Sequence, residues 1–436
     1  MKAALLPAYD AELSIEDVPP PEVQGPTDVI VRIGGAGLCR TDLHIIEGIW
    51  KEKVDVELPY ILGHENAGWV EEVGPGVRSV SPGDAVIVHP VVTCGLCRAC
   101  RGGEDMHCVD LSFPGITTNG GFAEYLLTGE RAIIKLPDGL EPKAIAPYAD
   151  AGITAYRAAK RAAERLTPGT RTALIGVGGL GHIAVQVLGE LCATEIIAVD
   201  RSAAALELAS TLGAHLLVNG ADVDPVEAVK ELTGGEGAHA VIDFVGEGSA
   251  IPQALAMLRK GGTYWVVGYG GTIEVPAIDM IFSEIAVVGS LVGNYNELAE
   301  LMDLAGQGRV TLHAAEYSLD DINGAIHDLE GGNVRGRGVI VPLEPAHARG
   351  RAAAGGSAAT LRARPPGCAR GPRSGSRPGR ARRRSSGRPG RARRAPSRAR
   401  CRARRAGRPR RRRRRSPRRR CARSPRRPRR ARCGRR

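Results

Sequence analysis

The 436-residue chain has a formal charge of +14, but that average hides two different polymers joined end to end. The first 348 residues hold 23 of the 61 basic residues and all 47 acidic ones, a net −24, whereas the remainder carries +38, all of it arginine. The first part has a globular composition that can bury a sizeable core. No apolar run approaches the ~20 residues of a membrane span, no signal-peptide pattern opens the chain, and six cysteines before residue 350 fit a reducing compartment better than a disulfide framework. The expectation is a cytoplasmic protein with no membrane segment.

Residues 1 to about 145 read as β-rich, with apolar runs at 29–33, 68–73 and 84–88 separated by Gly, Pro and Asp turn signals. Within this region stand Cys94, Cys97, Cys100 and Cys108, at spacings of two, two and seven residues in an otherwise cysteine-poor chain. Four thiolates so placed can wrap one tetrahedral Zn²⁺. The alternative, two disulfides or four unrelated buried thiols, is disfavoured because sulfurs this close would close strained small loops. An all-cysteine site leaves no ligand position open, so such a zinc would staple a lobe and the chemistry must lie elsewhere.

From about 150 the rhythm changes to helices alternating with continuous apolar strands. Strands are predicted at 172–175, 195–199, 216–218, 240–244, 263–267 and 285–288, with helices at 180–191 and 203–212. That alternation predicts a parallel sheet covered on both faces. A mixed stretch, 290–343, ends on the apolar run 338–341. The simplest organisation is a first domain, an inserted α/β domain, and a return of the chain to the first. From 349 onward the chain is almost only Arg, Ala, Pro, Gly, Ser and Cys, and cannot bury enough apolar surface to offset chain entropy. It reads either as a polycation that neutralises nucleic-acid phosphates without sequence preference or, the favoured reading, as the frame-shifted end of a GC-rich gene.

The predicted strand 172–175 runs into Gly176-Val177-Gly178-Gly179-Leu180-Gly181, which opens a helix. Glycines there permit the tight turn and let backbone amides approach a pyrophosphate at the helix N-terminus. Asp200 ends the next strand, 19 residues after Gly181, where a carboxylate can accept hydrogen bonds from an adenosine ribose and would repel the phosphate of NADP. Arg201 beside it blurs the preference for NAD over NADP. Three further segments hold candidate ligands: Cys39-Arg40-Thr41-Asp42-Leu43-His44, Gly63-His64-Glu65, and Tyr148-Ala149-Asp150. Taken singly, Cys39 is as readily a core thiol as a ligand, and His64 as readily a satisfied surface histidine.

Taken together, these segments, the cysteine quartet, the glycine motif and the closing Gly336-Arg337-Gly338-Val339-Ile340-Val341-Pro342 carry a resemblance. Over residues 1–343 the chain resembles the zinc-dependent alcohol dehydrogenases of the medium-chain dehydrogenase/reductase superfamily. The resemblance implies an α/β fold: a GroES-like, β-rich catalytic domain with a structural zinc lobe over 1–149, and a Rossmann doubly wound parallel-sheet domain over 150–288. The chain would return to the catalytic domain over 289–343 and end in a disordered Arg-rich tail over 344–436. It implies one catalytic zinc per chain on Cys39, His64 and Asp150, an aspartate where many members carry cysteine, and one structural zinc on Cys94, Cys97, Cys100 and Cys108.

In that pattern Asp42 orients His64, and Glu65 neighbours the ion. Thr41 takes the alcohol proton and passes it through ribose hydroxyls of NAD towards His44, which releases it to solvent. Arg40 and Arg337 hold the pyrophosphate, and Trp50 and the Pro90-Val91 pair line an apolar alcohol pocket. The implied activity is reversible, NAD-dependent oxidation of primary or secondary alcohols to aldehydes or ketones, by a homodimer or homotetramer. A polyol or amino-alcohol dehydrogenase of the same superfamily, and nonspecific nucleic-acid binding through the tail, are the alternatives.

Overall fold

The structure, a computed structural model, describes residues 1–54 and 56–342. The arginine-rich segment, and with it the expectations of disorder and nucleic-acid binding, lies outside the described residues. Among the described residues no helix is long and apolar enough to cross a membrane.

The β-rich part is organised on the strand Asp28–Leu38, which pairs antiparallel with Glu65–Val73, Tyr125–Gly129 and the closing strand Arg337–Val341. The last pairing brings Gly338 opposite Leu38, so the far end of the described chain buttresses the residue that precedes Cys39. This strand is longer than the run 29–33 predicted, because Gly34-Gly35 reads as a turn. In the fold those glycines are strand residues pressed against neighbours: a Cβ on Gly34 would come within 2.7 Å of the Trp69 ring, and one on Gly37 would collide with the Glu65 carboxylate. Glycine at 37 therefore makes room for a charged side chain inside the sheet.

The second sheet has six parallel strands in the order Leu216–Asn219, Glu195–Asp200, Arg171–Ile175, Ala238–Asp243, Leu258–Val266, Ala286–Gly289. Both faces are covered, as the continuous apolar runs require. On the central strand Leu174 packs with the helices Ala151–Ala163 and Gly181–Leu191 on one face. Its neighbours Ala173 and Ile175 pack with Pro225–Leu232 and Ala250–Met257 on the other. Each fully buried Leu or Ile here contributes roughly 1.5–3 kcal/mol. This is the α/β architecture expected. Strand order reverses between Arg171–Ile175 and Ala238–Asp243, and that crevice at the strand C-termini is where such sheets bind ligands.

Two helices unassigned in the sequence carry clear local start signals. Pro225–Leu232 has Pro at its first position and the Asp224 carboxylate accepting the Val226 and Glu227 N–H groups, and Tyr295–Gly306 opens on an Asn294/Glu297 capping box.

Candidate active site

Cys39 closes the long strand and caps the helix Arg40–Ile46; its N–H donates to Asp42 Oδ2 at 2.8 Å, which fixes the turn. His64 leads into the strand Glu65–Val73, and Asp150 stands at the start of the helix Ala151–Ala163. An aspartate at a helix start ordinarily caps the helix with its side chain. Asp150 does not, and its Oδ2 lies 3.6 Å from His64 Nε2 instead. The free Ala151 N–H is taken by Glu65 Oε1 at 3.0 Å.

Ligand atoms of Cys39, His64, Glu65 and Asp150 all lie within 4.8 Å of one another. Glu65 is not free: its carboxylate also accepts both Nε, at 3.0 Å, and Nη2 of Arg337. Of the other three donors, His64 and Asp150 converge with atoms left unbonded. His64 is 1 % exposed, and neither of its ring nitrogens nor Asp150 Oδ1 makes a hydrogen bond. Asp42 Oδ1, 3.3 Å from His64 Nδ1, holds the ring in place from behind. Burial opposes a charge on His64, yet Asp42 and Cys39 outweigh it and lift the imidazole pKa well above its ordinary value. The site therefore attracts positive charge. A thiol, an imidazole and a carboxylate that leave one tetrahedral position open fit Zn²⁺ in a catalytic setting.

These donors line a cavity of about 170 Å³ together with Thr41, His44, Trp50, Phe113, Ile116 and Tyr269. Trp50 lies where an alcohol-pocket residue was expected. The Pro90-Val91 pair does not line the cavity: Val91 is 3 % exposed, and its carbonyl is held at 3.0 Å by His89 Nδ1, whose other ring nitrogen reaches Gly293 O. Sequence reasoning missed Tyr269, which follows the strand Leu258–Val266. Its hydroxyl lies 2.8 Å from Thr41 Oγ1 and 3.2 Å from His44 Nδ1. No local signal marks it, because its partners stand 228 and 225 residues away.

The glycine motif forms a cradle at the crevice. Gly176 takes φ +81°, which glycine adopts freely. A Cβ on Gly181 would collide with the Gly176 carbonyl, whereas one on Gly178 would meet nothing within 4 Å. The open space at Gly178 and the N-terminus of the helix Gly181–Leu191 suit a pyrophosphate. Leu180 precedes that helix and also lines the cavity. Asp200 ends its strand with Oδ2 accepting the Val177 N–H at 2.8 Å and Oδ1 accepting those of Arg201 and Ser202. The carboxylate is thus held rigidly at the loop, with Arg201 exposed beside it.

Arg40 lines the cavity and pairs with Glu247 at 3.3 Å on the exposed rim. Arg337 also has a partner that the sequence did not reveal. Two of its nitrogens are bound by Glu65, and only Nη1 faces the cradle, 2.9 Å from where a Gly179 Cβ would stand. Its first role is to neutralise a buried carboxylate. Any contact with a pyrophosphate is left to Nη1.

The cysteine quartet forms a separate lobe on the helix Arg98–Arg101 and the turns beside it. All four thiols are free, with Cys97–Cys100 and Cys94–Cys108 sulfurs 3.5 and 3.6 Å apart, too far for disulfides. Backbone N–H groups of Cys97, Cys100 and Asp110 point at sulfurs. The amides of Cys100 and Val109 lower the Cys97 thiol to about 6, and burial raises Cys100 to about 11. Four sulfurs within 4.8 Å of one another, with amides aimed at them, fit a closed tetrahedral zinc.

Comparison with known proteins identifies the family. Residues 25–138 match the alcohol dehydrogenase GroES-like domain, and residues 179–307 match the zinc-binding dehydrogenase domain. An alcohol dehydrogenase of Geobacillus stearothermophilus is 36% identical over 342 residues, which cover 78% of this chain and 98% of that protein. The D-arabinose 1-dehydrogenase (NADP(+)) of Saccharolobus solfataricus is 38% identical over 346 residues, covering 78% of this chain and 97% of that one. The crystal structure of the alcohol dehydrogenase from Aeropyrum pernix is 50% identical, with a TM-score of 0.77, and covers 78% of this chain and all 100% of that chain. The chain is an oxidoreductase and belongs to the zinc-type alcohol dehydrogenases of the medium-chain dehydrogenase/reductase superfamily.

Proposed function

We propose that the chain oxidises primary or secondary alcohols bearing hydrocarbon or aromatic groups, reversibly and with NAD, using one zinc at Cys39, His64 and Asp150 and a second at the cysteine quartet. The observation that carries this reading is the convergence of a thiol, an imidazole and a carboxylate, the last two with buried atoms that make no hydrogen bond, on an apolar-walled cavity. Zinc held there would acidify an alcohol hydroxyl, and NAD would accept the hydride. Thr41 Oγ1 faces the same cavity and takes the alcohol proton, and His44, half-buried at its edge, returns it to solvent. Burial and Arg40 lower the His44 pKa against the opposing pull of Glu47 and Glu247, so the ring is neutral and able to accept a proton at neutral pH.

The walls formed by Trp50, Phe113 and Ile116 offer few hydrogen-bond partners, which favours simple alcohols over polyols. A relative named for D-arabinose keeps sugars in the test. NADH formation by the zinc-loaded chain across primary, secondary, aromatic and polyhydric alcohols should favour the first three, disappear on chelation and return with zinc. A preference for polyols would move the substrate assignment, and metal-independent turnover would refute the zinc site.

Asp200 should make the enzyme NAD-selective, because a 2′-phosphate would be brought against its carboxylate. Asp200→Gly should shift the NAD:NADP ratio of kcat/KM towards NADP by at least about 10-fold, roughly 1.4 kcal/mol. An unchanged ratio would mean that Asp200 does not face the ribose.

We infer also that two copies of the chain pair through the open edge of the parallel sheet. The strand Ala286–Gly289 forms one of the sheet's two edges, and the adjacent helix Ala277–Ser283 leaves Ile281 and Phe282 69 % and 74 % exposed. An unpaired apolar edge can be covered by its own copy about a two-fold axis. Sedimentation equilibrium should give a dimer or tetramer that Phe282→Asp weakens; a monomeric parent chain would exclude it.

A further inference from the structure

The Tyr269 hydroxyl joins two groups that the proposed chemistry needs to connect. Thr41 Oγ1 and His44 Nδ1 lie on the helix Arg40–Ile46, and both reach the same phenolic oxygen, at 2.8 and 3.2 Å. The tyrosine ring is fixed between two partners, edge-on to His44 at 5.3 Å between ring centres and tilted against Trp50 at 5.6 Å. Phenylalanine would make those ring contacts equally well, so only the two hydrogen bonds call for a hydroxyl at this position.

We propose that Tyr269 is a relay residue through which the alcohol's proton can pass from Thr41 to His44. The inference rests on the reading of Thr41 and His44 given above. As the alcohol O–H bond breaks, its proton goes to Thr41 Oγ1, the Thr41 proton goes to Tyr269 Oη, and the Tyr269 proton goes to His44 Nδ1. The resulting imidazolium gives one proton to water, and each hydroxyl ends with the one proton it began with. Tyr269 stays neutral throughout: the residue is 41 % exposed, but the buried part of it raises the pKa and disfavours a phenolate. The charged and titratable groups around His44 are Arg40 and Glu47 on its own helix, Glu247, and Tyr269 itself.

The test compares zinc-loaded, full-length Tyr269→Phe, His44→Ala, Thr41→Ala and the Tyr269→Phe/His44→Ala double variant in alcohol oxidation. Tyr269→Phe should lower kcat at least about 10-fold, as loss of a proton-transfer partner does. The KM for alcohol and the Kd for NADH should stay within about twofold of the parent. In the parent, kcat falls as pH drops through the His44 pKa, since imidazolium cannot accept a proton; that limb should flatten in Tyr269→Phe. Free imidazole should restore part of the lost rate. The double variant should be no worse than the poorer single one, because both break the same route.

A Tyr269→Phe enzyme with the parental kcat and pH profile would overturn the relay. So would tighter NADH binding with undiminished kcat, the mark of a hydroxyl that merely fills the cleft, or losses that multiply in the double variant. If Thr41→Ala and His44→Ala are also fully active, the proton route itself is wrong and Tyr269 falls with it. If those two are impaired and Tyr269→Phe is not, only the relay fails.

Discussion

Alanine at Cys39 should lower alcohol turnover by at least about 10³-fold, equivalent to roughly 4 kcal/mol of barrier, while leaving NADH affinity within about twofold. The first effect follows from the donor set. Removing Cys39 leaves His64 and Asp150 as the only uncommitted donors of this site among the described residues, because Glu65 is held by Arg337 and by the Ala151 N–H. Two ligands do not make a catalytic zinc site. The second effect follows from position: the cradle Gly176–Gly181 and Asp200 belong to the parallel sheet, and none of their hydrogen bonds involves Cys39. Steady-state kinetics and NADH fluorescence titration read the two effects separately. Retained activity would remove Cys39 from the metal, and lost NADH binding would show that the substitution damages the fold.

The second large effect is on stability. Glu65 and Arg337, 0 % and 5 % exposed, form a two-point ion pair across the β-rich sheet. Burial opposes the Arg337 charge, but Cys39 and Glu65 outweigh it and hold the guanidinium ionised. Glu65→Gln keeps an acceptor for Ala151 but removes the carboxylate that pairs with two nitrogens of the buried Arg337. The expected cost is about 3–5 kcal/mol in chemical denaturation, against a much smaller cost when Arg337→Met is made in the same chain. A loss below about 1 kcal/mol for Glu65→Gln would mean that the guanidinium finds solvent or another anion.

Legibility in the sequence followed contact range. The quartet Cys94–Cys108 and the run Gly176–Gly181 were readable because a short segment of backbone brings their groups together. Asp200 was readable because strand and helix lengths in such a unit fix the distance from the motif to the next strand end. Cys39, His64 and Asp150 were each ambiguous alone, and only their joint resemblance to a family pattern proposed them as one site; the fold then brings their ligand atoms within 4.8 Å.

What was missed depends on partners far along the chain. The pairing of Arg337 with Glu65 gave no sign in the sequence because the two stand 272 residues apart. Tyr269 carried no signal at all for the same reason. The strand Asp28–Leu38 was cut short at Gly34 because a glycine that permits a turn and a glycine that makes room for Trp69 look identical in one dimension. Likewise Gly261-Gly262 hid the early start of Leu258–Val266, where the register with Ala238–Asp243 shifts.

The central claim is that two distinct zinc sites exist and that the one on Cys39, His64 and Asp150 serves the reaction. Metal analysis by mass spectrometry of the purified chain, beside Cys39→Ala and Cys97→Ser, tests it without relying on turnover. Two zinc ions per chain are predicted for the parent and one for each variant, with the zinc of Cys39→Ala surviving in a folded, NADH-binding protein. Two ions retained in Cys39→Ala, or a parent chain that binds only one, would contradict it.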